Sequence, residues 1–282
     1  MIEDGFNITI VGFGLMGASY AMALKKFHKG KIYAIDIDET TLLKAKNRGL
    51  IDEGFTSAKE PLKDSKLIII CLYPKLLVKF IEENKEYFQN DAIITDIAGV
   101  KCDYIEKIDN ILKGKADFVS THPMAGREKQ GMDYADADIF KNANFIIIKK
   151  ENNKKENVEL IENLAKNMGF LRITKVTAKE HDNIIAFTSQ LTHAIAVSLV
   201  NSDDEKFNTK LFIGDSYRDL TRIAKINGEL WSELFLENKE NLIYRIDNFI
   251  DRLENIKKGL LNDDKEILIK EFKESSDRRD KF

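Results

Sequence analysis

The chain has 282 residues, 43% of them hydrophobic, enough to fill the core of one large domain or two modest ones. Its net charge of -3 comes from interspersed Lys, Arg, Asp and Glu without a basic stripe, which argues against nucleic acid or an anionic membrane and leaves a small molecule or a second copy as partner. Cys71 and Cys102 stand in no metal-ligand or CxxC spacing, the N-terminus is acidic where a signal peptide is basic, and no apolar run approaches a membrane span; no metal, no disulfide and a cytoplasmic location are expected.

In chain order, the first half alternates short β-branched runs with longer amphipathic segments. "NITIVGFG", "KIYAIDI", "KLIIICLYP", "AIITDIAGV", "ADFVSTHP" and "NFIIIKK" read as strands, and their continuous apolar character suggests burial on both faces in a mostly parallel sheet. Between them "MGASYAMALKKFH", "ETTLLKAKNRG", "PKLLVKFIEENKEYF" and "NVELIENLAKNMG" carry apolar residues at helical spacing, two of them ending in a glycine suited to a C-cap.

The first strand runs into Gly12, Gly14 and Gly17, a G-x-G-x-x-G that opens a helix, and Asp36 ends the next strand nineteen residues beyond the third glycine. The first glycine permits a tight turn, the second lets backbone approach a pyrophosphate, and the third lets helix and strand pack closely. The phosphates would rest on the helix N-terminus, with Phe13, Leu15 and Met16 completing the loop. Asp36 would accept bonds from the ribose hydroxyls and repel a 2′-phosphate, so NAD is expected over NADP; FAD is the alternative dinucleotide. Leu72, Tyr73, Asp96 and Ala98 follow later strands and are further cofactor-neighbour candidates.

His122 lies at the carboxyl end of a predicted strand, and Pro123 holds the chain extended there. A neutral imidazole facing a nicotinamide could take the proton of a substrate hydroxyl as hydride leaves the same carbon. By position alone a loop or core histidine is an equal reading.

Beyond about residue 178 strands vanish and helices take over. "KEHDNIIAFTSQLTHAIAVSLV" is apolar almost all round, as a buried helix should be, with Ser189, Thr192 and His193 as a polar interruption that either satisfies itself or lines a cleft. In "YRDLTRIAKINGELW", Asp219 and Arg222 share a turn, and Arg222 is either a carboxylate-binding fork or half of an intrahelical pair. Ile246, Phe249, Ile250, Leu253, Ile256 and Leu260 form an apolar stripe expected to be an intrachain core or a dimer seam.

From "VGFGLMG" through "TDIAGVK", "HPMAGRE", "EHDNIIAFTSQLTHAIA" and "YRDLTRIA", roughly residues 6 to 260, the sequence resembles the prephenate dehydrogenase family, which includes arogenate and cyclohexadienyl dehydrogenases of tyrosine biosynthesis. The resemblance implies an α/β fold: a doubly wound, mostly parallel Rossmann domain over 1–177 and an all-helical domain over 178–282. The helical domain would bind substrate and build a homodimer, with the active site in the cleft between the domains. It implies His122 as the catalytic histidine, Arg222 as the ligand of a substrate carboxylate, His193 as a substrate-binding histidine, Glu128 as an acid at the rim, and Asp219 and Trp231 as pocket neighbours. NAD is the implied cofactor, and prephenate or arogenate the substrate.

Many family members have Gly-Ser-Val-Lys where this chain reads "AGVK", so the serine near the histidine is replaced by Gly99. Ser120 and Thr121, where the family often has two glycines, are expected to restore a hydroxyl beside His122. Arg127 could touch a substrate carboxylate or face solvent. The sequence ends soon after the helical region, so no appended regulatory domain is expected. Rival readings are a β-hydroxyacid or imine reductase, which the absence of an interdomain lysine at His193 disfavours, and a dinucleotide-sensing module without catalysis.

Overall fold

The computed structural model describes residues 5–102, 104–127 and 129–281. The chain forms two compact units: residues up to Asp182 with Lys225–Glu237, and Asn183–Ala224 with the residues from Asn238 onward. The expected single boundary at 177/178 does not anticipate the return of 225–237 to the first unit. That return rests on long-range bonds: Lys75 N–H donates to Glu233 Oε1 (2.9 Å), and the Asn227 amide donates to the Tyr73 hydroxyl (3.0 Å).

The first unit holds a six-stranded parallel sheet in the order β3-β2-β1-β4-β5-β6, with β1 Ile8–Val11, β2 Ile32–Ile35, β3 Glu53–Phe55, β4 Leu67–Ile70, β5 Ala92–Asp96 and β6 Ala116–Phe118. The strand order reverses between β1 and β4, the point at which open α/β sheets bind ligands. β1, β2 and β4 are buried along their whole length, as strands covered on both faces must be. Helices Leu15–Leu24, Glu39–Asn47, Pro74–Asn84 and Lys155–Met168 occupy the predicted segments, and Gly169 caps the last of these in the left-handed conformation (φ 96°).

The run "ADFVSTHP" is not one strand. It splits into β6 and a separate β7 (Thr121–Pro123), which pairs antiparallel with β8 (Asn144–Ile148); β8 pairs parallel with β9 (Arg172–Val176) in a three-stranded sheet. The split follows from Asp96, whose carboxylate binds the Ser120 hydroxyl and the Thr121 N–H and draws the chain off the main sheet. His122 therefore sits within a strand of the second sheet, not at the end of a main-sheet strand. β3 and β9 were not expected, because β3 is very short and β9 is largely exposed and carries charges.

In the second unit, a π-turn at Ala186–Gln190 leads into helix Leu191–Asn201; helix Asp215–Thr221 and the antiparallel pair Lys239–Leu261 and Lys265–Arg279 follow. Gly259 lets the pair close, since a Cβ there would meet Leu268 at 2.9 Å. The expected burial of the apolar helix is not observed: Ile184 is 53% and Phe187 50% exposed. The stripe on Lys239–Leu261 is likewise half-exposed at Ile250 and Leu253, while Ile246, Phe249 and Ile256 are partly buried. The continuous helix Ala178–Asn201, whose most apolar 18-residue window has a mean hydropathy of 1.4, is also long and apolar enough to cross a membrane by length and composition, contrary to the expectation that no run approaches a span. Its serines, threonines and glutamine interrupt the apolar run without adding charge, so counting consecutive apolar residues misses it.

Candidate active site

The glycine loop has the geometry its spacing requires. Gly12 has φ +83°, and a Cβ on it would lie 2.7 Å from the Cys71 carbonyl oxygen across the β1/β4 crevice. A Cβ on Gly17 would lie 2.0 Å from the Gly12 carbonyl oxygen, so the third glycine sets the helix against the turn. At Gly14, by contrast, a Cβ would meet nothing within 4 Å, leaving the backbone open to an approaching ligand. The helix that Gly14 caps has no side-chain cap bond and no acidic residue in its first turn, which suits it to an anion.

Asp36 braces this loop: one carboxylate oxygen accepts the Phe13 N–H (2.7 Å) and the other the Asp38 N–H (3.0 Å). Each oxygen retains a lone pair, and the residue is partly exposed, so it can accept ribose hydroxyls. The Phe13 and Leu15 side chains are buried in the core, so those residues can serve a ligand only through backbone. Leu72 and Met16 are partly buried, and Tyr73 is partly exposed.

His122 is the outer member of a chain of side chains. Its Nδ1 lies 2.8 Å from His181 Nε2; His181 Nδ1 lies 2.6 Å from Asp182 Oδ1; and Asp182 Oδ2 accepts the backbone N–H groups of Lys101 (3.1 Å) and Cys102 (2.7 Å). The two rings meet edge to face at 5.1 Å. Burial, His181 and Lys101 hold the His122 imidazole well below its usual range, so it is neutral near pH 7. Burial also lowers His181, aided by Lys101 and opposed by its bond to Asp182. For Asp182 burial pushes upward, but the bonds from His181 and Cys102 outweigh it and the carboxyl stays below its usual value.

Behind this chain lies a second buried network. Lys101 is fully buried, and its ammonium donates to Asp96 Oδ2 (2.6 Å), the Tyr104 hydroxyl (3.0 Å) and the Thr121 carbonyl (2.7 Å). Asp96 Oδ2 also accepts from Tyr104 and the Ala98 N–H, and Oδ1 accepts from Ser120 Oγ (2.8 Å) and the Thr121 N–H (3.1 Å). Burial pulls the Lys101 ammonium down against the pull of Asp96, and burial and Asp96 push the Tyr104 phenol up.

This arrangement corrects several expectations. Asp96 is enclosed and its carboxylate is engaged by protein donors, so it acts as a structural hub; Ala98 is buried beside it. Ser120 donates to the Asp96 carboxylate and Thr121 to the Asp96 carbonyl (2.6 Å), so neither hydroxyl replaces a serine beside His122. Gly99 does face the histidine: a Cβ there would lie 3.8 Å from His122 Cε1 and 3.5 Å from Leu234 Cδ2, ordinary contact distances. Arg127 forms a surface ion pair with Asp136 (2.6 Å), which matches its solvent-facing alternative. Glu128 lies outside the described residues.

Trp231 belongs to the first unit, on helix Gly228–Glu237, edge-on to Phe235 at 5.8 Å. In the second unit, His193 Nδ1 meets the Ser189 carbonyl oxygen at 2.9 Å and the Thr192 hydroxyl donates to the same oxygen (2.6 Å), so this polar patch is a bonded set in the π-turn region. Asp219 is exposed on helix Asp215–Thr221, and Arg222 opens the 3-10 turn that follows it. Sequence reasoning gave no role to His181, Asp182, Lys101 or Tyr104. The signal available for the first two was "EHD", a polar cluster at the start of an apolar helix.

Two family models match the chain: the nucleotide-binding domain of prephenate dehydrogenase over residues 20–173 and its dimerization domain over 177–274. The prephenate dehydrogenase of Bacillus subtilis is 31% identical over 280 residues, covering 97% of this chain and 75% of that protein. The crystal structure of prephenate dehydrogenase from A. aeolicus in complex with hydroxyphenyl propionate and NAD+ is similar with a TM-score of 0.90 and 28% identity, covering 100% of this chain and 99% of that one. Arogenate dehydrogenase from Synechocystis is similar with a TM-score of 0.83 and 25% identity, covering 98% and 99%.

Proposed function

The chain belongs to the prephenate dehydrogenase family, and from that premise we propose that it carries out the NAD-dependent oxidative decarboxylation of prephenate to 4-hydroxyphenylpyruvate, carbon dioxide and NADH. The observation that carries the reading is His122, a neutral imidazole with Nδ1 committed to His181 and no bond to Nε2 among the described residues, in the unit that holds the glycine loop. The open backbone at Gly14, the uncapped helix behind it and the Asp36 carboxylate fit a dinucleotide with free ribose hydroxyls.

When bound, NAD supplies the acceptor for the hydride that leaves C4 of the substrate ring. His122 Nε2 accepts the C4 hydroxyl proton as that hydride departs, which makes the C4 carbonyl. Loss of carbon dioxide from C1 then leaves its electron pair in the ring, the ring becomes aromatic, and His122 returns the proton to the phenolic oxygen. The overall reaction neither takes up nor releases a proton, so a base that lends and recovers one suffices. Arg222 is assigned to a substrate carboxylate, His193, Asp219 and Trp231 to the substrate's surroundings, and Glu128 to the rim.

The half-exposed apolar faces of Ala178–Asn201 and Lys239–Leu261 lie in the region matched by the dimerization domain, and a second copy of the chain is assigned to cover them. Similarity to an arogenate dehydrogenase keeps arogenate as the second substrate reading, because the two substrates share the ring chemistry and differ only in the side chain.

The test is NADH or NADPH formation with prephenate and with arogenate, each with NAD and NADP. Turnover of prephenate with NAD, lost in His122→Asn, is expected. Activity confined to NADP would overturn the role of Asp36, and wild-type inactivity with both substrates would overturn the function.

A further inference from the structure

We infer that His181 and Asp182 are positioning residues that fix the tautomer of His122, holding its proton on Nδ1 and its lone pair on Nε2. The inference rests on the proposed reading of His122 as the base for the substrate hydroxyl and deepens it.

The direction of the chain is set at its inner end. Asp182 Oδ2 faces two backbone donors, the N–H groups of Lys101 and Cys102, which cannot accept a proton. The carboxylate is therefore an acceptor on that side, and its ionised form is the stable one. Toward His181 Nδ1, 2.6 Å away, it can again only accept, so His181 carries its proton on Nδ1. A neutral imidazole has one proton, which leaves His181 Nε2 bare. Across 2.8 Å that nitrogen accepts from His122, whose proton is thereby placed on Nδ1. Nε2 of His122 is left as the basic nitrogen. Had the inner residue been a donor, every ring in the series would be reversed and Nε2 of His122 would carry a proton when a base is needed.

Lys101 ties the series to the strand that presents it. Its backbone N–H holds Asp182 while its ammonium holds the Thr121 carbonyl, one residue before His122. The charged and titratable groups around the two rings are thus Lys101, Cys102 and Tyr104 between β5 and helix Ile105–Leu112, Asp96 at the end of β5, and Asp182 on the helix that carries His181, with the Cys102 thiol also bonded to Asp182. When His122 takes the substrate proton, the imidazolium can pass its Nδ1 proton toward His181 Nε2, and the buried carboxylate of Asp182 stabilises the positive charge wherever it rests.

Two substitutions separate this role from mere packing. Asp182→Asn can keep its carbonyl oxygen toward the two backbone N–H groups, but its amide then donates to His181 Nδ1 and inverts both rings. His181→Gln can donate from its amide nitrogen to Asp182 and accept at its oxygen from His122 Nδ1, so it preserves the direction although the ring is gone. Asp182→Asn is expected to lower kcat on the order of 10³–10⁴-fold with KM little changed, the scale on which tautomer inversion disables a histidine base. His181→Gln is expected to stay within about tenfold of wild type, as a loss of roughly 1.4 kcal/mol would allow. A purely structural role predicts the reverse order, because the near-isosteric Asp182→Asn change disturbs packing less than loss of a ring.

Nitrogen-15 spectra of the imidazoles give a readout independent of activity and of the variants' folding. The wild-type protein at neutral pH should show His122 with a protonated Nδ1 and a bare Nε2. Folded Asp182→Asn should show the opposite. A protonated Nε2 on His122 in the wild type, or wild-type kcat in folded Asp182→Asn, overturns the inference. The underlying reading fails differently, through wild-type inactivity with both substrates or full turnover in His122→Asn.

Discussion

Replacing Lys101 by Met removes a buried ammonium while nearly preserving its volume, and it tests whether the hub under His122 is held by charge. All three ammonium protons are used, and the pair with Asp96 is 2.6 Å apart with both side chains at 0% exposure. Breaking such a pair from one side typically destabilises by about 3–5 kcal/mol because the partner charge stays buried. Asp96 would keep donors from Ala98, Tyr104, Ser120 and Thr121, which places the expected loss near the lower end; the orphaned Thr121 carbonyl adds roughly 1 kcal/mol or more. A total of about 3–5 kcal/mol follows. Urea unfolding at fixed protein concentration should show a lower midpoint with an unchanged m-value. Asp96→Asn in the Lys101→Met background should recover part of the loss, with a coupling energy of roughly 1–3 kcal/mol. The exposed pair of Arg127 with Asp136 is the control, and Arg127→Ala should lose less than about 1 kcal/mol. If Lys101→Met loses no more than that control, the hub is not held by charge.

Acidification should destabilise the protein through its buried histidines. His181 and His122 have native pKa values below the unfolded value near 6.5, so between those values the unfolded chain binds more protons and stability falls as pH falls. At pH 5.5 each contributes a loss of up to about 1.4 kcal/mol relative to pH 7.5, measurable by urea unfolding; pH-independent stability across this window would contradict their neutral native state. Gly14→Ala should change stability by less than about 0.5 kcal/mol yet weaken NAD binding measured by calorimetry, whereas Gly17→Ala should destabilise by roughly 3 kcal/mol or more as its Cβ meets the Gly12 carbonyl. Gly99→Ala should be accommodated beside His122 and raise stability by about 0.4–1 kcal/mol through the unfolded chain; a marked fall in melting temperature would show that the space is not there.

The glycine loop was legible in the sequence because each of its requirements is local: a turn at Gly12, an open backbone at Gly14 and a close contact at Gly17 all lie within one strand-turn-helix step. The main-sheet strands other than β3 were legible for the same kind of reason, through runs that stay apolar on both faces. What depended on distant partners was not. The break between β6 and β7 and the direction of the Ser120 and Thr121 hydroxyls are both set by Asp96, more than twenty residues away in sequence. The His181–Asp182 pair looks like the solvated start of a helix until the loop at Lys101 and Cys102 is seen to cover it. The return of Lys225–Glu237 to the first unit is marked by bonds to Lys75 and Tyr73 and by buried Leu234 beside Gly99, which no periodicity reveals. The long apolar helices are legible as helices, but their expected burial is not: Ile184, Phe187, Ile250 and Leu253 stay about half-exposed.

The most direct measurement is the stoichiometry of products when prephenate is added to the protein with NAD. NADH and carbon dioxide should appear in equal amounts, with 4-hydroxyphenylpyruvate matching both, and none of the three should form in His122→Asn at a comparable rate. Absence of NADH with prephenate and with arogenate alike, in a protein that binds NAD, would contradict the account.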